Sequence, residues 1–300
     1  MKHSLHAPKA FFGILMMIIA SSLFGLMSAA VFAASQLEIP VAPEISSFVR
    51  VSINLAILLI PAILKGEGKD LFGDFRPSLW LRGLFGGLSL ILSFVAIQRI
   101  GPGESSFLTA CSGIFVAALS PRILGQRNGL LEWGAILGAL SGLFLLAQPE
   151  KNSYDFEGRL MGLGSGILAA LAYLMIARAG RTNSPGTIVF YFCLVAFWLH
   201  VFGFSLTGFD LPHGTQAWLL VSSAGLLGTI AQFCLTRAYQ SAPATLISAV
   251  GFLSPVISLV LGASLFQKEP SPRALLGCGL ILGFGLLLPC LRLIGRKDVS

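Results

Sequence analysis

Ten apolar stretches, each about as long as a bilayer's hydrocarbon core is thick, constrain this chain more than any other feature. They occupy residues 10–34, 45–64, 78–100, 104–121, 129–147, 159–180, 186–206, 217–238, 243–266 and 274–291, and a helix needs about 17 to 25 residues to cross roughly 30 Å of hydrocarbon. Soluble domains carry about one charged residue in four. Here charged residues are 11% against 55% hydrophobic, and mean hydropathy is +0.84. Too few charges remain to make a wetted skin, so the surface must face lipid. The fold class is therefore an all-α integral membrane protein with ten transmembrane helices. The first stretch imitates a signal peptide, because Lys2 and Lys9 precede it and small residues near Ala34 look like a cleavage site. It is nonetheless long enough to span, and we read it as the first helix.

The net charge of +7 does not point to nucleic acid, because no basic run is interleaved with aromatics. It points to topology. Of the 20 lysines and arginines, all but Arg50, Arg99, Lys151, Arg159, Lys268 and Arg273 fall on one side if the N terminus is cytoplasmic. Glu38, Glu44, Asp155, Glu157 and Asp210 gather on the other side. Cytoplasmic loops carry the basic excess, so both termini are expected in the cytoplasm. The cysteines Cys111, Cys193, Cys234, Cys278 and Cys290 sit in apolar stretches with no CxxC pair and no His/Cys set at metal spacing. They read as packing side chains, and no metal or cofactor is expected.

The two halves, 1–150 and 151–300, echo each other. Trp80 and Arg99 recur at the spacing of Trp218 and Arg237, with a polar residue, Gln98 or Thr236, before each arginine. Gly134, Gly138 and Gly142 in stretch five have a counterpart in Gly279 and Gly283 of stretch ten, a spacing that lets helices approach closely in lipid. Five-helix halves have an odd number of crossings and so insert in opposite orientations. That is the inverted-repeat plan of many secondary transporters.

The segment TRAYQSAPATLISAVGFLSP, residues 236 to 255, bears on the site. Pro243 suits the start of a helix. Pro255 lies in mid-stretch, four residues after Gly251, and should free a backbone carbonyl that only protein or a wet cavity can satisfy. Cys111 to Gly113 are a softer interruption at the equivalent place in the first half. Paired interruptions of this kind mark transporter sites.

Together with SPGTIVFYF at Ser184 to Phe192 and the two five-helix halves, TRAYQSAPATLISAVGFLSPV resembles the EamA-type branch of the drug/metabolite transporter superfamily over essentially the whole chain. The resemblance implies a ten-helix bundle around a central cavity lined mainly by helices 1, 3, 4, 6, 8 and 9, open to each side in turn. Departures from the family pattern include Gln126 in place of glutamate, Glu269 one residue late, Gly113 in place of a helix 4 proline, and no lysine near Phe32. They count against a lysine-dependent, organic-anion type of site.

Arg50, the deepest charge, either holds a substrate carboxylate or snorkels to the interface beside Glu44. Arg82, Arg122 and Arg178 read as topology anchors. Arg99 and Arg237 end matching helices on opposite faces, as gates or as interfacial anchors. The candidate cavity residues are Arg50, Ser93, Gln98, Thr109 and Ser112 in the first half. In the second half they are Tyr173, Gln232, Thr236, Ser248, Phe252 and Ser254, with Gly113, Gly251 and Pro255 at the helix breaks. His200 reads as a lone packing histidine. No carboxylate occupies the middle of any stretch, so a proton relay through buried acids is not expected.

These features describe a secondary transporter for small metabolites such as amino acids or nucleoside-like and flavin-like solutes, in the bacterial inner membrane, acting as a monomer or a homodimer. A pore is the second reading. A membrane-embedded enzyme is third, and the absence of grouped acids or metal-spaced histidines in the loops counts against it.

Overall fold

A computed structural model describes residues 7–66, 68–125, 129–147, 155–267 and 270–294. The topology residues Lys2, Arg127, Lys151, Lys268, Arg296 and Lys297, and the departures at Gln126 and Glu269, lie outside the described residues. The first half holds α1 (Ala7–Ser35), α2 (Pro43–Leu64), a short 3-10 helix (Gly68–Phe72), α3 (Pro77–Ile100), α4 (Pro102–Ala110), α5 (Ser112–Leu124) and α6 (Leu130–Ala147). The second holds α7 (Phe156–Ala179), α8 (Pro185–Thr207), α9 (Gly214–Ser241), α10 (Ala244–Val250), α11 (Leu253–Phe266) and α12 (Pro272–Ile294). Among the described residues eight spans are long and apolar enough to cross a membrane, counting α4 with α5 and α10 with α11 as one each. The apolar stretches in α6 and α12, Trp133–Gly142 and Leu275–Phe284, are shorter.

Helix starts follow local chemistry. α2, α3, α4 and α8 open on proline, whose missing N–H falls where the helix would leave a donor unused. Ser184 caps α8 by accepting from the Thr187 amide at 3.1 Å, and Asp155 caps α7 by accepting from Gly158 at 2.7 Å.

Both interrupted spans break in the middle. Cys111 separates α4 from α5, and Gly251 and Phe252 separate α10 from α11. Pro255 therefore sits in the first turn of a new helix, where its missing N–H is tolerated. The carbonyl it would strand, that of Gly251, accepts instead from the Ser254 amide at 3.1 Å. The break, rather than a strained continuous helix, accommodates the proline.

Helices pair across the halves. α1 packs on α9 and α3 on α7; α2 packs on α9 and α3 on α8; α4 packs on α11 and α5 on α10; α6 packs on α12. Direction can be read at the ends. Gly13, near the start of α1, faces Ala238 and Ala242 at the end of α9. Gly158, at the start of α7, faces Arg99 and Ile100 at the end of α3. The end of α9 meets the end of α7, where Gln240 donates to the Asn183 carbonyl at 3.1 Å. α1 thus begins at the end of the bundle where α7 finishes.

In the α6–α12 contact, Gly138 faces the Phe284 ring and Gly142 faces Leu280 and the Gly277 carbonyl. Among the described residues Gly134, Gly279 and Gly283 face nothing within 4 Å, so the close approach of this pair rests on Gly138 and Gly142 of α6. Outward positions such as Phe11, Leu137, Trp198 and Leu219 are exposed, as lipid-facing residues should be.

Candidate functional site

Where the broken spans meet α1, α2, α3, α7 and α9, the helices line a cavity of about 150 Å³, several times what one water needs. Met17, Ser21, Phe24 and Ser28 reach it from α1, and Gly251, Ser254 and Pro255 reach it from the second break.

Two arginines dominate it. Arg50 is 4% exposed and Arg82 is 2% exposed, and both line the cavity. The Nε of each is buried without a hydrogen-bond partner, and among the described residues neither guanidinium has an ion pair. Aromatic faces hold them: the Arg82 Cζ lies 4.5 Å from the Phe192 ring centre, and the Arg50 Cζ lies 5.6 Å from Phe24 and 5.9 Å from Phe94. Such contacts contribute up to about 2 kcal/mol each, whereas taking an ion out of water costs several kcal/mol. The aromatic contacts leave both charges undercompensated. Glycines make room for the arginines. A Cβ at Gly86 would collide with the Arg82 guanidinium, and one at Gly228 would meet the Arg50 Nε at 2.5 Å.

The rest of the wall is uncharged among the described residues, and mixes hydroxyl side chains with apolar ones such as Met17, Met27, Leu90 and Leu235. The Ser89 hydroxyl donates to the Ser165 carbonyl at 2.9 Å, and the Thr109 and Ser165 hydroxyls are 2.8 Å apart. Tyr173 stacks on Tyr239 with ring centres 5.0 Å apart, and the buried Tyr239 hydroxyl has no partner among the described residues.

Of the residues expected at the site, Arg50, Ser93, Thr109 and Ser112 line the cavity from the first half, as do Tyr173, Gln232, Ser248, Gly251, Ser254 and Pro255 from the second. Four are elsewhere. Gln98 donates to the Val41 carbonyl at 3.0 Å, Thr236 bonds back to the Gln232 carbonyl at 2.8 Å, Phe252 packs in the core beside Cys111 and Cys278, and Gly113 faces Ser248. Arg82 is not the anchor that its place near a helix start suggested. The signal was the run of small residues around it, Gly83, Gly86 and Gly87, which lets α3 approach α8 and leaves the arginine no path outward. His200 is not a lone packing residue. Its Nδ1 donates to the Ala196 carbonyl at 2.7 Å and its Nε2 lies 2.6 Å from the Ser47 hydroxyl.

Polar clasps join the halves at both ends of the bundle. At one end Arg99 pairs with Asp155 at 3.0 Å and Glu157 at 2.6 Å, and Arg159, 4% exposed, pairs with Glu104 at 2.6 Å. At the other end Asp74 accepts from Thr182 Oγ1 at 2.7 Å and Asn183 Nδ2 at 2.9 Å. These bonds hold the Asp74 carboxyl below the usual carboxylate range, with the Thr182 hydroxyl the largest cause. Arg237 is exposed and has no ion pair among the described residues. Only Arg99 of the proposed gate pair is engaged.

A cavity that holds two buried arginines between two halves that repeat their helix pairings invites comparison with known carriers. The sequence matches the EamA-like transporter family over residues 11–148 and again over 157–288. The chain belongs to that family. This EamA-like transporter is 29% identical to an uncharacterized transporter of Helicobacter pylori, over 92% of this chain and 94% of the relative. It is 28% identical to the pseudopaline exporter CntI of Pseudomonas aeruginosa, over 90% of this chain and 93% of that one. A riboflavin transporter of Vibrio cholerae is 25% identical over 58% of each chain. A crystal structure aligns over 95% of this chain and 98% of its own with a TM-score of 0.67 and 20% identity, a likeness of fold. The EamA-like transporter is a multi-pass membrane protein, with eight apolar spans among the described residues and transporter relatives.

Proposed function

We propose that this EamA-like transporter is a secondary carrier of the bacterial inner membrane, moving a small metabolite by alternating access to the central cavity. The observation that carries the reading is the cavity itself: it lies between two broken spans and is walled by both halves, while separate clasps close the bundle at each end. A carrier needs this arrangement, because one clasp can open while the other holds.

In this reading ten helices cross the membrane, α4–α5 and α10–α11 each counting once and α6 and α12 completing the set. Residues 1–150 and 151–300 form inverted repeats. Support comes from the family match to each half and from the opposed directions of α1 and α7. The basic excess then sets both termini, and the Asp74 clasp, in the cytoplasm, with the Arg99 clasp outside.

Counterflow into proteoliposomes tests the function. Vesicles preloaded with an unlabelled solute should transiently accumulate its labelled form from outside with no imposed gradient. No counterflow for any solute in a broad panel of amino acids, nucleosides, flavins and organic acids, with folded and inserted protein, together with stepwise single-channel currents in planar bilayers, would replace the carrier with a pore.

A further inference from the structure

We infer that the cavity takes an organic dianion, a solute bearing two carboxylates or a phosphate ester, gripped between Arg50 and Arg82; this rests on the carrier reading above.

Two guanidiniums face one small space, and among the described residues no aspartate or glutamate lines it. Several acids are engaged elsewhere: Glu104 with Arg159, Asp155 and Glu157 with Arg99, Asp74 with Arg76 at 3.0 Å. The missing negative charge must come from the cargo.

Arginine suits that task because its planar fork matches carboxylate and phosphate oxygens in pairs. Both forks are set in place. Phe192 holds the face of one and Phe24 and Phe94 flank the other, while Gly86 and Gly228 leave the room each guanidinium occupies.

The same inventory narrows the amino-acid and flavin-like range taken from the sequence. A zwitterionic amino acid would satisfy one arginine and bring an ammonium to a wall that offers no carboxylate to meet it. A neutral flavin-like solute would leave both arginines unmatched. The cavity, about 150 Å³, falls short of the roughly 300–1,000 Å³ typical of drug-sized ligands, so a compact solute fits best. The sequence departures counted against a lysine-dependent anion site, and here arginine does the work that lysine would do.

The test is binding by the full-length protein in detergent, read as ligand-dependent thermal stabilisation at constant ionic strength. The probes are succinate and glycerol phosphate, with succinamide and alanine as neutral and zwitterionic controls. The inference expects saturable stabilisation by at least one dianion and none by the controls, with affinity lowered at least tenfold in Arg50→Gln and in Arg82→Gln. Gly86→Ala, which keeps both arginines and displaces one, should weaken dianion binding in the same direction. If a glutamine variant fails to fold, Arg50→Lys or Arg82→Lys retains the charge without the fork and should also lose affinity. Stabilisation by succinamide or alanine alone, no dianion response at all, or dianion affinity unchanged in both arginine variants overturns the inference. Dianion binding without counterflow would sink the carrier reading and leave the site standing. Counterflow of a neutral solute with no dianion binding would do the reverse.

Discussion

Asp74 and Asn183 exchange two hydrogen bonds across the halves: the Asp74 amide donates to Asn183 Oδ1 at 3.1 Å, and Asn183 Nδ2 donates to Asp74 Oδ1 at 2.9 Å. Asp74 precedes α3 and Asn183 follows α7, so the exchange clips one end of an antiparallel helix pair whose other end is clipped by Arg99 and Asp155. Each helix has 24 residues, which sets the clips about 36 Å apart along the bundle.

Asn183→Ala removes the centre of the first clip. Opening at that end should become easier, so turnover should shift while the apparent affinity for solute changes little, and the melting temperature should fall by a few degrees. The clip should also respond to acid. Because the Asp74 carboxyl titrates below its ordinary range, its contribution is complete above the unfolded aspartate value near 4 and is lost as pH falls through the lower folded value. Asp74→Asn should abolish that acid response. A melting curve across pH reads both variants.

At the opposite end, Glu104→Gln would remove the Glu104 carboxylate from the buried Arg159 guanidinium. Breaking a buried pair from one side costs about 3–5 kcal/mol, so a large loss of thermal stability is expected. The exchange Glu104→Arg with Arg159→Glu should recover part of it. Arg237→Gln, by contrast, removes an exposed charge with no ion pair among the described residues and should leave turnover unchanged. Slowed transport there would restore the gate role suggested by the repeat.

Gly86→Ala tests the setting of Arg82 without deleting it. The added methyl collides with the far end of a flexible side chain rather than with backbone, so the protein should fold and the guanidinium should shift. We expect KM to rise about tenfold, equivalent to about 1.4 kcal/mol, with little change in kcat. Equal losses in both would mean that Gly86 serves helix packing against Phe192.

Pro255→Leu restores an amide in the first turn of α11 and permits α10 and α11 to run on as one helix. Transport should drop while the amount of folded protein in the membrane stays normal. Normal uptake would show that Gly251 and Phe252 set the break without the proline.

Eight of the ten expected spans, and their order, were legible because lipid leaves a clear mark: long apolar runs, several with prolines at their starts. The broken spans were legible too, since Pro255 and Cys111 to Gly113 stand out in mid-run. Cavity residues were harder, because a helix end says little about which way a side chain turns. Arg82 lies in the second turn of α3, as an anchor would, and only the glycines on its inner face betray its burial. Gln98 and Thr236 look like matched polar pairs by spacing, yet each is consumed by a backbone carbonyl, one across the bundle and one in its own helix. Contacts such as Glu104 with Arg159 join residues 55 apart in sequence, and no local pattern encodes them.

The most direct test of the central claim is efflux of a labelled dianion from proteoliposomes, measured into solute-free medium and into medium containing the same solute unlabelled. With two undercompensated guanidiniums, the empty site should reorient slowly. The account therefore predicts efflux accelerated severalfold by solute on the far side, with the acceleration reduced in Arg50→Gln and Arg82→Gln. Equal efflux into both media, at a rate proportional to concentration and insensitive to either arginine, would contradict alternating access at this cavity.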